Sequence, residues 1–213
     1  MRSGNWCSVS TTVLLFVLCC WVKTTSFGQG IVDFENFNNS QISTSGPTTG
    51  LISGPAGTYY FALLSAPTSQ TSITPSLAGW GFEDYGYNTT TPGLMNGNYT
   101  TDPGVLVFWP SGYPANFAVI GWSANIGTSY GAATAWWNNG NPNTGPSGYF
   151  GISDVAQDIL VGGNPYPVPT IFGPTAGGEV QGFTLNYYSV PEPSTIALMG
   201  LGVAVLSITR RRK

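Results

Sequence analysis

The sequence predicts an all-β protein whose body is an antiparallel β-sandwich or jelly-roll-like domain with one or two short helices. Gly (29) and Pro (16) are frequent among the 213 residues, and 14% of the residues are aromatic. A turn-rich chain of this kind folds, because disordered chains are poor in aromatic residues. Short apolar runs separated by turn residues, without a regular alternation of strands and long helices, favour the sandwich class.

The strands are predicted from short apolar or alternating runs. Residues 32–35 alternate between apolar and acidic side chains, which indicates a first strand with one side in water. The continuous apolar runs 59–64 and 105–109 predict strands that are covered on both faces. The even-numbered positions of 117–126 are apolar and share one face, and 182–187 shows the clearest alternation of the chain.

Only two short stretches have the pattern of a helix. Thr128 or Ser129 is a suitable N-cap for one or two turns that end at Trp137. Residues 154–157 resemble a capping box, although a strand fits them equally well. Two polar stretches rich in Ser, Thr, Asn and Gly predict long loops: residues 36–55 and 138–147.

The charge is distributed unevenly along the chain. All six basic residues lie near the ends, and between Thr24 and Thr209 there is no Lys, Arg or His. Residues 29–190 contain eight acidic side chains, so this region carries a net charge of −8. A region without cations cannot neutralise phosphates, which excludes nucleic acid as a partner. The absence of His, Cys and Lys from the same region excludes His- or Cys-dependent nucleophilic catalysis, Schiff-base chemistry and the usual zinc and copper sites.

The first 28 residues predict a cleavable secretory signal. Arg2 supplies the positive charge, and residues 13–22 form an apolar stretch that would span about 15 Å as a helix. Ser26 and Gly28 are the small residues expected at positions −3 and −1 of a cleavage site before Gln29. The alternatives are a buried N-terminal helix and a lipidated cysteine.

All the cysteines of the chain lie in this signal: Cys7, Cys19 and Cys20. The mature protein is therefore expected to contain no disulfide, and its export is inferred from the signal alone.

The last 24 residues have three parts. Residues 190–195 contain two prolines, which hold the backbone extended. Residues 196–208 are almost entirely apolar and predict a helix about 20 Å long, shorter than the hydrocarbon core of a bilayer of about 30 Å. Residues 210–213 are all basic and are expected on the cytoplasmic side. An anchor this short suits a segment that is held briefly in the membrane and then removed.

This three-part arrangement resembles the PEP-CTERM sorting signal. The residues that carry the resemblance are Val190, Pro191, Glu192, Pro193, Ser194 and Thr195. The resemblance implies that the tail is recognised and cleaved by exosortase, a membrane enzyme of Gram-negative bacteria that make exopolysaccharide. The implied membrane helix includes Ile196, Leu198, Gly200, Ala204, Leu206 and Ile208, and the implied basic stop is Arg210, Arg211, Arg212 and Lys213.

Three other interpretations of the tail fit less well. A GPI signal has a polar spacer and does not normally end in four cations. A permanent membrane anchor needs several more apolar residues. A helix of the folded core would not be followed directly by a basic cluster.

Carboxylates are the only strong catalytic groups left in the body, so a glycoside hydrolase is the enzyme class that stays open. The candidate pairs are Asp33 with Glu35, Glu83 with Asp84, and Asp154 with Asp158. Any of these pairs, together with backbone carbonyls, is also a candidate Ca²⁺ site, although no EF-hand spacing occurs. The pattern predicts neither a catalytic residue nor any other cofactor.

Aromatic side chains beside Asn, Thr and Ser favour contact with a neutral sugar. The candidate glycan contacts lie in one Gly-rich stretch: Trp80, Tyr85 and Tyr87. The alternative is that these rings fill the core or anchor loops in a domain without disulfides.

Together these patterns predict a signal peptide (1–28), a secreted β-rich domain (29–189) and a sorting signal (190–213). The expected protein is exported and non-enzymatic, is processed by signal peptidase and exosortase, is anchored transiently in the inner membrane, and ends in the cell envelope or exopolysaccharide matrix. The alternatives are a carbohydrate-binding module and a carboxylate-pair glycoside hydrolase. Polysaccharide is the expected ligand class in the first of these alternatives.

Overall fold

The computed structural model describes residues 28–97, 104–138, 145–189 and 201. The described part is mostly β, as predicted. The strands are β1 (Gln29–Val32), β2 (Ser43–Ser45), β3 (Gly50–Leu51), β4 (Tyr59–Ala66), β5 (Gly81–Asn88), β6 (Met95–Asn96), β7 (Val105–Pro110), β8 (Pro114–Ser123), β9 (Gly148–Leu160) and β10 (Thr184–Tyr188). A 3₁₀ turn (Ala124–Ile126) and one helix, α1 (Tyr130–Asn138), lie between β8 and β9.

Eight of the strands form one mixed sheet that curls strongly, like half a barrel, in the order β3-β2-β10-β9-β8-β4-β5-β6. Neighbouring strands run antiparallel, except that β10 and β2 run parallel. The strands β1 and β7 form a separate antiparallel pair. The long strands β4, β8 and β9 lie at the centre of the curled sheet, where most of their residues are buried.

The two faces of the curled sheet bury different sets of side chains. On one face Phe61 and Phe117 pack with Val105 and Val107 of the small sheet, in a cluster that extends to Phe172. On the other face Leu64, Ile120 and Trp122 pack against α1 and the segment that leads into β5. The alternation of side chains along β4 and β8 therefore supplies both cores, and the run 59–64 is covered on both sides as predicted.

The second layer differs from the predicted antiparallel sandwich. Within the part of the chain that the structure describes, it consists of a two-stranded sheet and irregular chain from residue 161 to 183, rather than a second full sheet. The prediction that 105–109 is covered on both faces is wrong, because Leu106 (44% exposed) and Phe108 (78% exposed) point away from the core. In a surface two-stranded sheet only one face has a partner layer, so β7 alternates between buried and exposed.

The predicted helices and loops have different outcomes. The predicted helix forms, and the hydroxyl of Ser129 accepts the backbone N–H of Ala132 at 3.2 Å as an N-cap does. Residues 154–157 lie in β9, which is the strand alternative. The predicted loop 36–55 is wrong in part, since it contains β2 and β3 and is held by buried isoleucines. Residues 139–144 of the other predicted loop lie outside the described residues.

Buried asparagine side chains connect the loops to the strands. Asn88, fully buried, accepts the backbone N–H of Tyr59 at 2.9 Å and donates to the carbonyls of Gly54 and Pro55. Asn116, also fully buried, accepts the N–H of Asp158 at 2.8 Å in the same way. A residue that both donates and accepts can satisfy several backbone groups at once, which replaces ion pairs in a body that has no basic residue.

Candidate functional site

The sorting tail predicted from the sequence begins where the described body ends. The strand β10 ends at Tyr188, and Ser189 is the last described residue before the motif. The motif 190–195, the basic residues 210–213 and the leader 1–27 lie outside the described residues, as does the apolar segment except for Leu201. Leu201 is helical and 67% exposed. Among the described residues, no helix has the length and apolar character needed to cross a bilayer.

The three predicted glycan contacts lie on or beside β5. Trp80 is only 8% exposed, and its indole N–H donates to the carbonyl of Ser72 at 3.3 Å. The hydroxyl of Tyr85 accepts the backbone N–H of Tyr130 at the start of α1, at 2.9 Å. The ring of Tyr87 lies 5.1 Å from that of Tyr60. All three side chains make contacts that anchor loops or pack on β5, and contact between them and a glycan stays a prediction.

Glu83 lies in a network of hydrogen bonds that involves β4, β5 and β7. One of its oxygens accepts the hydroxyl of Ser65, and the other accepts the backbone N–H of Phe108 at 2.9 Å. The Ser65 oxygen in turn accepts the indole N–H of Trp109 at 2.8 Å. Burial raises the pKa of Glu83, and the nearby charge of Asp84 adds to this, while its two hydrogen bonds act against it. These hydrogen bonds join β7 of the small sheet to β4 and β5 of the curled sheet.

The remaining candidate carboxylates lie on strands or strand extensions. Asp154 accepts the backbone N–H of Gln181 at 3.1 Å, and burial raises the pKa of its carboxyl. Because Asp154 and Asp158 lie on β9, they are not stacked on one helical face. Glu35 accepts the side-chain amide of Asn96 at 3.1 Å. No group of three or more Asp, Glu, His or Cys able to hold a metal ion occurs among residues 28–97, 104–138, 145–189 and 201.

A cleft of about 600 Å³ opens at the end of the sheet where β4 begins and β8 ends. Its walls come from the loop 55–58, the turn 123–125, the start of β9 and the end of β10. We refer to it as the tyrosine cleft, because its rings are Tyr59, Tyr149 and Tyr187. The ring of Tyr149 lies 6.2 Å from that of Tyr59 and 5.1 Å from that of Tyr187.

The walls of the tyrosine cleft are held by hydrogen bonds. The bond from the buried Asn88 to the carbonyl of Pro55 fixes the loop at one side. At the other side the hydroxyl of Tyr149 accepts the backbone N–H of Thr48 at 2.8 Å and donates to its carbonyl at 3.1 Å. This site was not predicted, because its residues come from four distant parts of the chain. The only signals were that Tyr59 begins one predicted strand and Tyr187 ends another, whereas no strand was predicted at Tyr149.

The comparisons with known proteins bear on the tail. The family model of the PEP-CTERM protein-sorting motif matches residues 189–213. No curated protein and no solved structure matches the chain. The chain therefore carries a PEP-CTERM protein-sorting motif at residues 189–213, which implies an exported protein that exosortase processes and sorts to the cell surface.

Proposed function

We propose that the protein is a non-enzymatic component of the cell envelope or exopolysaccharide matrix of a Gram-negative bacterium. The observation that carries the proposal is the match of the PEP-CTERM protein-sorting motif to residues 189–213. In this route signal peptidase removes residues 1–28, and the apolar segment 196–208 holds the protein in the inner membrane. Exosortase then cleaves at the motif, so the domain 29–189 is the part that is delivered.

The chemistry of the tail suits temporary anchoring. Pro191 and Pro193 keep the motif extended, so an enzyme can grip it without unfolding a helix. A helix of about 20 Å is shorter than a bilayer core of about 30 Å, and snorkelling of the residues 210–213 covers part of the difference. A short anchor next to an extended motif supports the proposal that the tail is removed after export.

A non-enzymatic role is supported by the composition of the body and by the roles of its carboxylates. The region between Thr24 and Thr209 has no Lys, Arg or His. The two carboxylates whose pKa burial raises, Glu83 and Asp154, each accept a backbone N–H from a neighbouring segment. A carboxylate that accepts a backbone N–H from a neighbouring segment holds two parts of the fold together. A net charge of −8 over residues 29–190 keeps copies apart at low salt.

Intact-mass analysis of the protein taken from its native envelope tests the proposal, because one measurement reports both ends and any added group. We expect a mass that lacks residues 1–28 and the segment 196–208. A strain without exosortase should retain the tail. A chain in which Pro191 and Pro193 are both changed to Ala should be trimmed less, while the exposed Pro47→Ala control should be trimmed like the wild type.

Two results would contradict the proposal. A protein that keeps residues 196–208 in the mature envelope would rule out sorting by cleavage. Hydrolysis of a polysaccharide that Glu83→Gln or Asp154→Asn abolishes would show that the body is a glycoside hydrolase.

A further inference from the structure

We propose that the tyrosine cleft binds a neutral saccharide. The proposal deepens the matrix role given above and rests on it for the source of the sugar. The binding itself is a property of the folded body and is measured separately from sorting.

The shape of the cleft suits a saccharide. Its volume of about 600 Å³ lies within the range of roughly 300–1,000 Å³ that small-molecule sites occupy. It is open at the surface, which lets an internal unit of a long polymer enter without threading a chain end. The strands β4, β8, β9 and β10 support the walls, so the cleft is formed before any ligand binds.

Aromatic rings line the cleft. Tyr59, Tyr149 and Tyr187 come from three strands, and the neighbouring rings of this series lie 5.1 and 6.2 Å apart. A pyranose ring has an apolar face of C–H groups and a rim of hydroxyls. A tyrosine matches that combination, since it has a flat ring and a hydrogen-bonding atom at its tip. Tyr187 is the partly exposed ring of the three and offers its face to the sugar, whereas Tyr59 and Tyr149 are about nine-tenths buried.

The cleft also contains hydroxyl groups that a ligand can bond. Tyr59 is only 7% exposed, and its hydroxyl has no hydrogen-bond partner among the described residues. The same is true of the hydroxyl of Tyr187, which is half-buried. Burial, followed by the nearby Tyr149, raises the pKa of Tyr59, so its hydroxyl is neutral and can both donate and accept. A buried polar group without a partner is costly, and a sugar hydroxyl would satisfy it.

The charges of the cleft and of the body disfavour an acidic ligand. None of the described residues that line the cleft is charged, and amide and hydroxyl side chains such as Asn125 and Ser123 stand beside the rings. An acidic saccharide would find no cation to pair with, because the chain has none between Thr24 and Thr209. The net charge of −8 over residues 29–190 would repel such a polymer. A neutral saccharide is therefore the class that the cleft fits.

Affinity electrophoresis of the full chain in native gels tests the proposal. The gels contain dextran, a mixed-linkage β-glucan or galactomannan as neutral probes, and alginate as an acidic comparator. We expect at least one neutral polymer to retard the protein and alginate not to do so. Tyr187→Leu keeps the apolar volume but removes the flat ring, and it should weaken retardation about tenfold.

Two further variants separate binding from folding. Tyr59→Phe keeps the ring and removes only the hydroxyl, so it should weaken retardation about fivefold at an unchanged melting temperature. Tyr113→Ala removes an exposed tyrosine that does not line the cleft and should leave retardation unchanged. No retardation by any neutral polymer, or equal retardation of the wild type and the cleft variants, would overturn the proposal. Normal trimming of the tail together with either result would leave sorting intact.

Discussion

At the residue scale, Glu83 is a titratable group that connects the two sheets by hydrogen bonds. A bulge in β5 leaves it without a paired residue on β4, so its side chain is free to reach β7. There it accepts the N–H of Phe108 and the hydroxyl of Ser65, which is also bonded to Trp109. Because burial is the largest influence on the pKa of Glu83, the folded protein favours the protonated form more than the unfolded chain does.

The stability of the protein should therefore depend on the protonation of Glu83. A raised pKa in the folded state gives stability that is fully present below the ordinary value of 4.5 and is lost as the pH rises through the folded pKa. Glu83→Gln cannot ionise, so its melting temperature should fall less than that of the wild type between pH 4.5 and pH 7. Thermal unfolding followed by circular dichroism across this range measures the difference.

The variant Ser65→Ala provides the opposite test. It removes the hydroxyl hydrogen bond that lowers the pKa of Glu83, so the fall in melting temperature should move to higher pH. Parallel pH profiles for the wild type, Glu83→Gln and Ser65→Ala would show that Glu83 does not control this dependence.

At the scale of elements, two glycines let β10 lie close to the centre of the sheet. Gly121 of β8 and Gly151 of β9 are paired residues. A Cβ on Gly151 would lie 2.5 Å from the carbonyl oxygen of Thr184, and one on Gly121 would lie 2.7 Å from the ring of Phe61. The absence of a side chain at both positions leaves room for Leu185, which is fully buried.

Replacing Gly151 should destabilise the protein although alanine is no worse a strand residue than glycine. Because the nearest atom is backbone oxygen and cannot rotate away, we expect Gly151→Ala to lower the free energy of unfolding by about 1–3 kcal/mol, as overpacking does. Urea unfolding measures the change. Gly81→Ala is the matched control on β5, since its Cβ would meet nothing closer than 3.8 Å. Equal effects of the two substitutions would contradict the role given to the glycine pair.

At the scale of the whole molecule, β10 is the last described strand and also an interior strand of the curled sheet. It lies between β2 and β9, and its pairing with β2 is the only parallel one in that sheet among the described residues. The sorting motif matched at 189–213 follows it at once. A boundary at this position lets the tail be removed without breaking a strand pair.

Two truncations test this boundary. Deleting residues 190–213 should leave the melting temperature within about 2 °C of the full chain, because it removes no described strand. Deleting residues 184–213 should abolish cooperative unfolding, since β9 and β2 lose their partner and Leu185 leaves the core. A large loss of stability in the shorter deletion would mean that the tail belongs to the folded domain.

The sequence was most informative where the signal is local. The apolar run of β4, the cap at Ser129 and the alternation ending at Tyr187 each depend on neighbours within a few residues, and the structure confirms them. The prediction of an antiparallel sandwich was only partly right, because alternation of side chains does not show whether two neighbouring strands run parallel or antiparallel. The exposure of Phe108 was not predicted, because a continuous apolar run does not show whether another layer covers each face of the strand.

What the sequence by itself determined is the β-rich class, the cationless body and the sorting motif at residues 189–213, because composition and contiguous motifs need no knowledge of neighbours in space. Only the tertiary structure decided that the sheet is mixed and curled and that Glu83 reaches the small sheet. It also decided that three tyrosines from distant strands share one cleft. Long-range pairing brings these groups together, and no local pattern in the chain encodes which strands will meet.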